Sequence, residues 1–339
     1  MQAMALHRIA PIESSPLTSE ERPDPRPGAG QVRLRVRCCA ICRTDLHVIE
    51  GDLPPHQLPV IPGHQMVGEV DAVGPDGTDL AAGDRVGVAW LRHTCGTCDF
   101  CRSGRENLCE SSRYTGWDAD GGYATAAVVD EAFAYRIPET FDDTHAAPLL
   151  CAGIIGYAVL QRCDLPDGGT LGLYGFGSSA HVVMQIARHR GSEVVVVTRG
   201  ESHRRLAREM GAAWTGGRAE DMPVDVDSAI IFAPAGELVP PALARLRKGG
   251  TLALAGIHMS DIPPLNYETH LFYAKTLRSV TANTRADGEG LLREAAEIPI
   301  RPPASPPIPS ATPTRPCRTS RPTGSTGRAC WSCDARFRR

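Results

Sequence analysis

Four cysteines, Cys95, Cys98, Cys101 and Cys109, stand in a C-x2-C-x2-C-x7-C pattern. Four thiolates on one short loop can close a tetrahedral shell around zinc with no open position, which makes such an ion structural. Disulfides and an iron–sulfur cluster are the other chemistries that this set can serve. A second pattern, Gly175-Phe176-Gly177-Ser178-Ser179-Ala180, reads G-x-G-x-x-A. Gly175 and Gly177 let the backbone approach a pyrophosphate, and the amide groups at the start of a following helix supply donors to it. The β-branched run after it ends at Thr198-Arg199, where an acid would be needed to hold the 2′-hydroxyl of NAD. Without that acid, and with Arg199, His203 and Arg204 close by, a 2′-phosphate can be accommodated, so NADP(H) is preferred and NAD(H) is the second option. The same basic residues also read as the solvated start of a helix.

These motifs need particular elements around them. Leu171-Gly-Leu-Tyr-Gly175 reads as a buried strand, Ser178–Arg190 as a helix, Glu193–Thr198 as a strand and Ser202–Met210 as a helix. Ala229–Phe232 and Thr251–Ala255 repeat the strand pattern, so strands alternate with helices as in a doubly wound parallel sheet. Ahead of them, Val32–Arg37 alternates polar and apolar residues, and Met66–Val73 and Arg85–Trp90 are strand-like between Gly and Pro. That part reads as an irregular all-β domain as far as about Leu150.

The 339 residues predict about two domains. A hydrophobic fraction of 42% with 22% charged residues belongs to a globular chain. The net charge is −3 and no long basic block is present in the body of the chain, which argues against nucleic acid and anionic membrane as partners. The longest apolar stretch, Pro148 to Leu160, is shorter than the roughly 20 residues of a membrane span. The first residues lack the basic-then-apolar order of a signal peptide, so the expected compartment is the reducing cytoplasm. Twelve cysteines there point to metal ligation more than to disulfides.

Taken singly, Cys42, His64 and Cys151 read as ordinary buried residues. In order, however, CRTDLH (42–47), PGHQMVGEV (62–70), the four-cysteine loop and LLCAGIIGY (149–157) resemble the zinc-dependent alcohol dehydrogenases of the medium-chain dehydrogenase/reductase family. The likeness runs from about Gly30 to Glu297. It implies a GroES-like catalytic β domain over residues 1–151 that holds both zinc ions, a Rossmann domain over 152–285, and a segment from 286 that returns to the first domain. It also implies Cys42, His64 and Cys151 as ligands of a catalytic zinc with an open fourth position, and zinc at the four cysteines. Asp45 is then expected to orient His64, Thr44 and His47 to relay the alcohol proton, and Arg43 to pair with the cofactor pyrophosphate. Gln65 stands where the family commonly has glutamate, which makes the zinc surroundings less negative. Trp90 and Leu53 match substrate-pocket positions, with the Trp90 ring favouring short primary alcohols or unbranched aldehydes. The expected activity is reversible hydride transfer between a primary alcohol or aldehyde and the nicotinamide cofactor, in a dimer or tetramer. A zinc-free quinone or enoyl reductase of the same superfamily is the rival reading.

From about residue 299 the composition changes. Residues 299–339 hold nine prolines and eight arginines, no lysine or glutamate, and only Asp334 as an acid. This predicts an irregular or disordered tail. A shifted reading frame is the sharper explanation, since the helical pattern at 290–297 runs into the tail without a stop signal, and it makes a catalytically compromised homologue the third reading. Cys317, Cys330 and Cys333 read as incidental.

Overall fold

The computed structural model describes residues 1–76, 79–298 and 300–301, and the backbone of 330–332. Expectations for the rest of the tail, including Cys317 and Cys333, lie outside the described residues. Two compact units are formed: Met1–Cys151 with Thr284–Leu292, and Ala152–Asn283 with the stretch that begins at Arg293.

In the first unit, strands β1 (Gln2–Leu6) and β2 (Leu17–Glu21) pair as an antiparallel ribbon, and β3 (Gln31–Ala40) organises the main sheet. Alternation along β3 sends Val32, Leu34 and Val36 into the core, while Arg33 and Arg35 face out to pair with Asp71 and Glu69. Helix α1 (Arg43–Glu50) follows, then β4 (Met66–Val73), β5 (Arg85–Val88) and β6 (Leu91–His93). A short helix α2 (Asp99–Arg102) lies in the cysteine loop, which β7 (Arg113–Tyr114) closes by pairing with β6. Strands β8 (Ala126–Asp130) and β9 (Ala134–Arg136) complete an antiparallel sheet in which β3 pairs with β4 and β8, and β5 with β4 and β9. The all-β expectation is therefore corrected: α1 carries site residues inside this domain, and the sequence reading missed it because its eight residues are too short for a clear helical period.

A helical run from Asp143 to Leu160 joins α3 (Asp143–Pro148) and α4 (Ile154–Leu160) through a π-helical turn at Leu149–Gly153. Pro148 supplies no N–H and crowds the preceding turn, and the widened turn begins at the next residue. The run is long and apolar enough to cross a membrane, yet 72% of it is buried within the protein, as befits a core helix.

The second unit carries strands β10 (Thr170–Tyr174), β11 (Glu193–Val197), β12 (Trp214–Gly216), β13 (Val226–Ile231), β14 (Leu246–Leu254) and β15 (Thr276–Ser279). All pair in parallel, in the order β12-β11-β10-β13-β14-β15. Sequence order reverses between β10 and β13, the switch point of a Rossmann sheet. Helices α5 (Ser178–His189), α6 (Glu201–Glu209) and α7 (Val239–Ala244) connect successive strands, with α8 (Tyr267–His270) ahead of β15. The GroES-like plus Rossmann expectation holds. Helix α9 (Arg285–Glu297) begins five residues earlier than the apolar period alone suggests, because Thr284 and Asp287 exchange hydrogen bonds at its start. Cys330–Ser332 forms a strand, β16, against β3, where the composition predicted no strand.

Candidate metal centres and cofactor site

Cys42, His64 and Cys151 come from three distant segments, and their ligand atoms lie within 4.8 Å of one another. Cys42 precedes α1, where its backbone N–H donates to Asp45 Oδ2 at 2.7 Å. His64 follows the turn at Gly63, and Cys151 sits on the π-helical turn. The two sulfurs are 3.7 Å apart. Sulfurs bound to one zinc ion at about 2.3 Å in tetrahedral geometry would be separated by about 3.8 Å. His64 Nδ1 bonds Asp45 Oδ1 at 2.8 Å, and its buried Nε2 has no hydrogen-bond partner among the described residues. An orphaned ring nitrogen beside two thiols fits a metal ion. Burial alone would depress the imidazole pKa; the charge and hydrogen bond of Asp45, with Cys42 adjacent, outweigh it and raise the pKa to about 10. Zinc binding therefore has to displace that proton.

The four cysteines make a second group. Sulfur separations are 3.5 Å for Cys98–Cys101, 3.6 Å for Cys95–Cys109 and 3.9 Å for Cys95–Cys101. These suit the edges of a tetrahedron around one ion, whereas an iron–sulfur cluster spreads its cysteine sulfurs much farther apart. Backbone amides of Thr97 and Cys98 stabilise the Cys95 thiolate and lower its pKa to about 6. Cys38 is disulfide-bonded.

Thr44 and His47 lie three residues apart on α1. Thr44 Oγ1 is 3.8 Å from Cys42 Sγ, and His47 Nδ1 pairs with Asp52 at 2.7 Å, a partner the sequence reading missed. Arg43 is exposed at the start of α1. Gln65 is fully buried and donates to Ala40 O at 3.3 Å. Trp90 and Leu53 belong to one apolar cluster, and Trp90 packs edge-on to His64 with ring centres 5.0 Å apart. Trp117 and Tyr114, which sequence reasoning did not single out, stack on Trp90 at 5.8 and 5.2 Å. Aromatic residues bracketing a cysteine loop were the available signal.

In the second unit, Gly175 has φ +88° and Gly177 caps α5 without a side chain; a Cβ at Gly177 would meet open space. The first amides of α5 thus face no side-chain cap of their own, and Ala180 is fully buried. Such a cradle fits a pyrophosphate. Thr198 is buried at the end of β11, while Arg199 is exposed, with no ion-pair partner among the described residues. Arg204 is committed to the carbonyls of Thr198 and Arg199 and to Glu201, so it braces the loop and is less available to a phosphate than sequence suggested.

His181, one turn into α5, is buried against Phe176, its Nε2 unpartnered among the described residues. Burial, with His203 nearby, lowers its pKa to about 4. The folded chain refuses a proton that the unfolded chain accepts below about 6.5, so stability falls as pH drops from 6.5 towards 4. Denaturant titration at pH 5 is expected to show a loss of about 2 kcal/mol relative to pH 7.5, and His181→Leu to remove most of it. An equal loss in the variant would assign the pH dependence to other groups.

Residues 28–139 match the alcohol dehydrogenase GroES-like domain family, and residues 180–297 the zinc-binding dehydrogenase family. A Mycobacterium tuberculosis protein named "Probable alcohol dehydrogenase AdhA" is 53% identical over 302 residues, covering 88% of this chain and 87% of its own length. An alcohol dehydrogenase of Geobacillus stearothermophilus is 35% identical, covering 84% and 87%. The structure of a cinnamyl alcohol dehydrogenase from Sorghum bicolor superposes with a TM-score of 0.80 at 28% identity, over 91% of this chain and 90% of that one. Likeness of this extent, across both halves of the chain, makes the protein an oxidoreductase acting on alcohols and aldehydes, a member of the zinc-dependent alcohol dehydrogenases of the medium-chain dehydrogenase/reductase family.

Proposed function

We propose that this chain oxidises primary alcohols and reduces the corresponding aldehydes with NADP(H), using one zinc ion at Cys42, His64 and Cys151 and a second at the four cysteines. The observation that carries this reading is the meeting of three distant ligand atoms around the unpartnered Nε2 of His64. A zinc ion held by Cys42, His64 and Cys151 would supply Lewis acidity at the substrate oxygen, and a bound nicotinamide would supply the hydride chemistry. Two thiolates offset the charge of the dication, and Asp45 fixes the ring orientation of His64. Thr44 would accept the alcohol's proton while its own hydroxyl proton moves on, by way of the cofactor ribose, to the imidazole of His47, which Asp52 holds through Nδ1 and which releases a proton to solvent. The stacked Trp90, Trp117 and Tyr114 offer a flat apolar surface beside His64, which suits an unbranched carbon chain or a ring.

The preference for NADP(H) is supported by the missing acid at the end of β11 and by the exposed Arg199. Steady-state assays with ethanol or benzyl alcohol are expected to show a higher kcat/KM with NADP+ than with NAD+. Arg199→Ala is expected to raise KM for NADP+ by about ten- to a hundredfold, with little change for NAD+, since one charge-assisted hydrogen bond is worth about 1.5–3 kcal/mol. Equal loss with both cofactors, or none, would remove Arg199 from phosphate recognition. A homo-oligomer and a cytoplasmic location complete the reading.

A further inference from the structure

The strap Asp120–Tyr123 lies along the His64 loop and is tied to it residue by residue. Ile61 N donates to Asp120 Oδ1 at 2.9 Å, Gly121 N to Ile61 O and Gly122 N to Gly63 O at 2.7 Å each, and Tyr123 N to Pro62 O at 3.0 Å. Only glycine permits this approach: a Cβ at Gly121 would stand 2.2 Å from Gly63 O. Gly63 has φ +98°, and a Cβ there would stand 2.6 Å from the Tyr123 ring, so the tyrosine packs directly on the residue before His64. At the far end of that ring, the buried Tyr123 hydroxyl donates to Asp45 Oδ2 at 3.0 Å. Asp45 also receives His64 Nδ1 on Oδ1 and Cys42 N on Oδ2. One carboxylate, only 2% exposed, thus gathers bonds from two of the proposed zinc ligands and from Tyr123.

We propose that Tyr123 is a positioning residue of the metal centre, whose hydroxyl acts through Asp45 to hold Cys42 and His64 in place for the ion. This rests on the assignment of Cys42, His64 and Cys151 as zinc ligands. The two oxygens of Asp45 satisfy three donors, and Oδ2 is shared between Tyr123 and the Cys42 amide. Without the hydroxyl the carboxylate is held on fewer sides in a site that water does not reach, and its grip on both ligands loosens. Groups that orient metal ligands in this way typically change affinity by about 10–100-fold.

Tyr123→Phe removes one oxygen and keeps the ring on Gly63. The zinc-loaded wild type is expected to hold two ions and to release them to a chelator in two phases, the Cys98→Ser variant identifying the phase that belongs to the four cysteines. In Tyr123→Phe the other phase is expected to quicken about tenfold while the four-cysteine phase stays unchanged. The visible absorption of the cobalt-substituted protein should shift with it. In an Asp45→Asn background, Tyr123→Phe should add no further change, because the path runs through that carboxylate. Unchanged release and an unchanged cobalt spectrum would overturn the proposal, as would independent effects of the two substitutions. Insoluble Tyr123→Phe protein would also overturn it, by making the hydroxyl a folding requirement. A wild type that holds a single zinc, or a Cys42→Ala variant that keeps both release phases, would instead defeat the ligand assignment.

Discussion

Replacing His64 with alanine is expected to leave one zinc ion per chain where the wild type holds two, and to lower kcat/KM for alcohol oxidation by at least about a thousandfold. The size follows from what the site supplies: several kcal/mol of charge stabilisation at the substrate oxygen, at 1.36 kcal/mol per factor of ten. His64 is the ligand whose loss the site absorbs least, because Asp45 would be left buried with its Oδ1 partner gone. Cys42→Ala and Cys151→Ala should give the same metal count, and Thr44→Ala should keep both ions while slowing proton transfer. Elemental analysis beside steady-state kinetics separates these outcomes. Two ions retained by His64→Ala, or activity within tenfold of wild type, would show that the three residues do not form the working centre.

The sequence was most legible where chemistry and local pattern coincide. The cysteine loop declares itself by spacing, and the Rossmann sheet by alternating apolar runs: β4 spans the residues read for it, and α5 and β11 differ from the reading by one residue. The three-ligand centre was legible only through its likeness to a family, because no local rule links residues 42, 64 and 151. The π-helical turn that carries Cys151 was concealed, since an apolar run with helical spacing looks the same whether or not one turn is widened; Pro148 was the overlooked cue. Asp120, Trp117 and Tyr123 were hidden for another reason. Their stretch is punctuated by glycine and aspartate, which reads as a turn, and its function is to lie close against a loop some sixty residues earlier in the chain. Glu106 shows the same limit. It is buried and forms a bidentate pair with Arg285, 179 residues away, which joins the cysteine loop to the start of α9, a pairing that no local pattern announces.

Substituting Cys101 with serine should remove the other zinc ion and cause the largest loss of stability. The loop between β6 and β7 has little else to order it: its one α-helix is four residues long and its 3-10 turn at Glu106–Leu108 three, Cys95, Cys98 and Cys101 are only half-buried, and Leu108 is 38% exposed. With so little apolar burial, chain entropy of about 1–2 kcal/mol per residue has to be offset by metal ligation, and structural zinc sites in small peptides bind with about 10–16 kcal/mol. Part of that stabilisation is held by the rest of the fold, through Glu106 to Arg285 and through Tyr114 stacked on Trp90. A net cost of several kcal/mol, seen as a melting temperature lower by about 10 °C or more, is the expected result. Limited proteolysis should cut first between Cys95 and Cys109, in the variant and not in the zinc-loaded wild type. Because Tyr114 closes the same loop, the stacking on Trp90 should slacken, and turnover should be lost at a lower temperature than in the wild type even with the ion at His64 still bound. A Cys101→Ser chain that keeps two zinc ions, resists protease and melts as the wild type does would mean that protein contacts alone hold this loop.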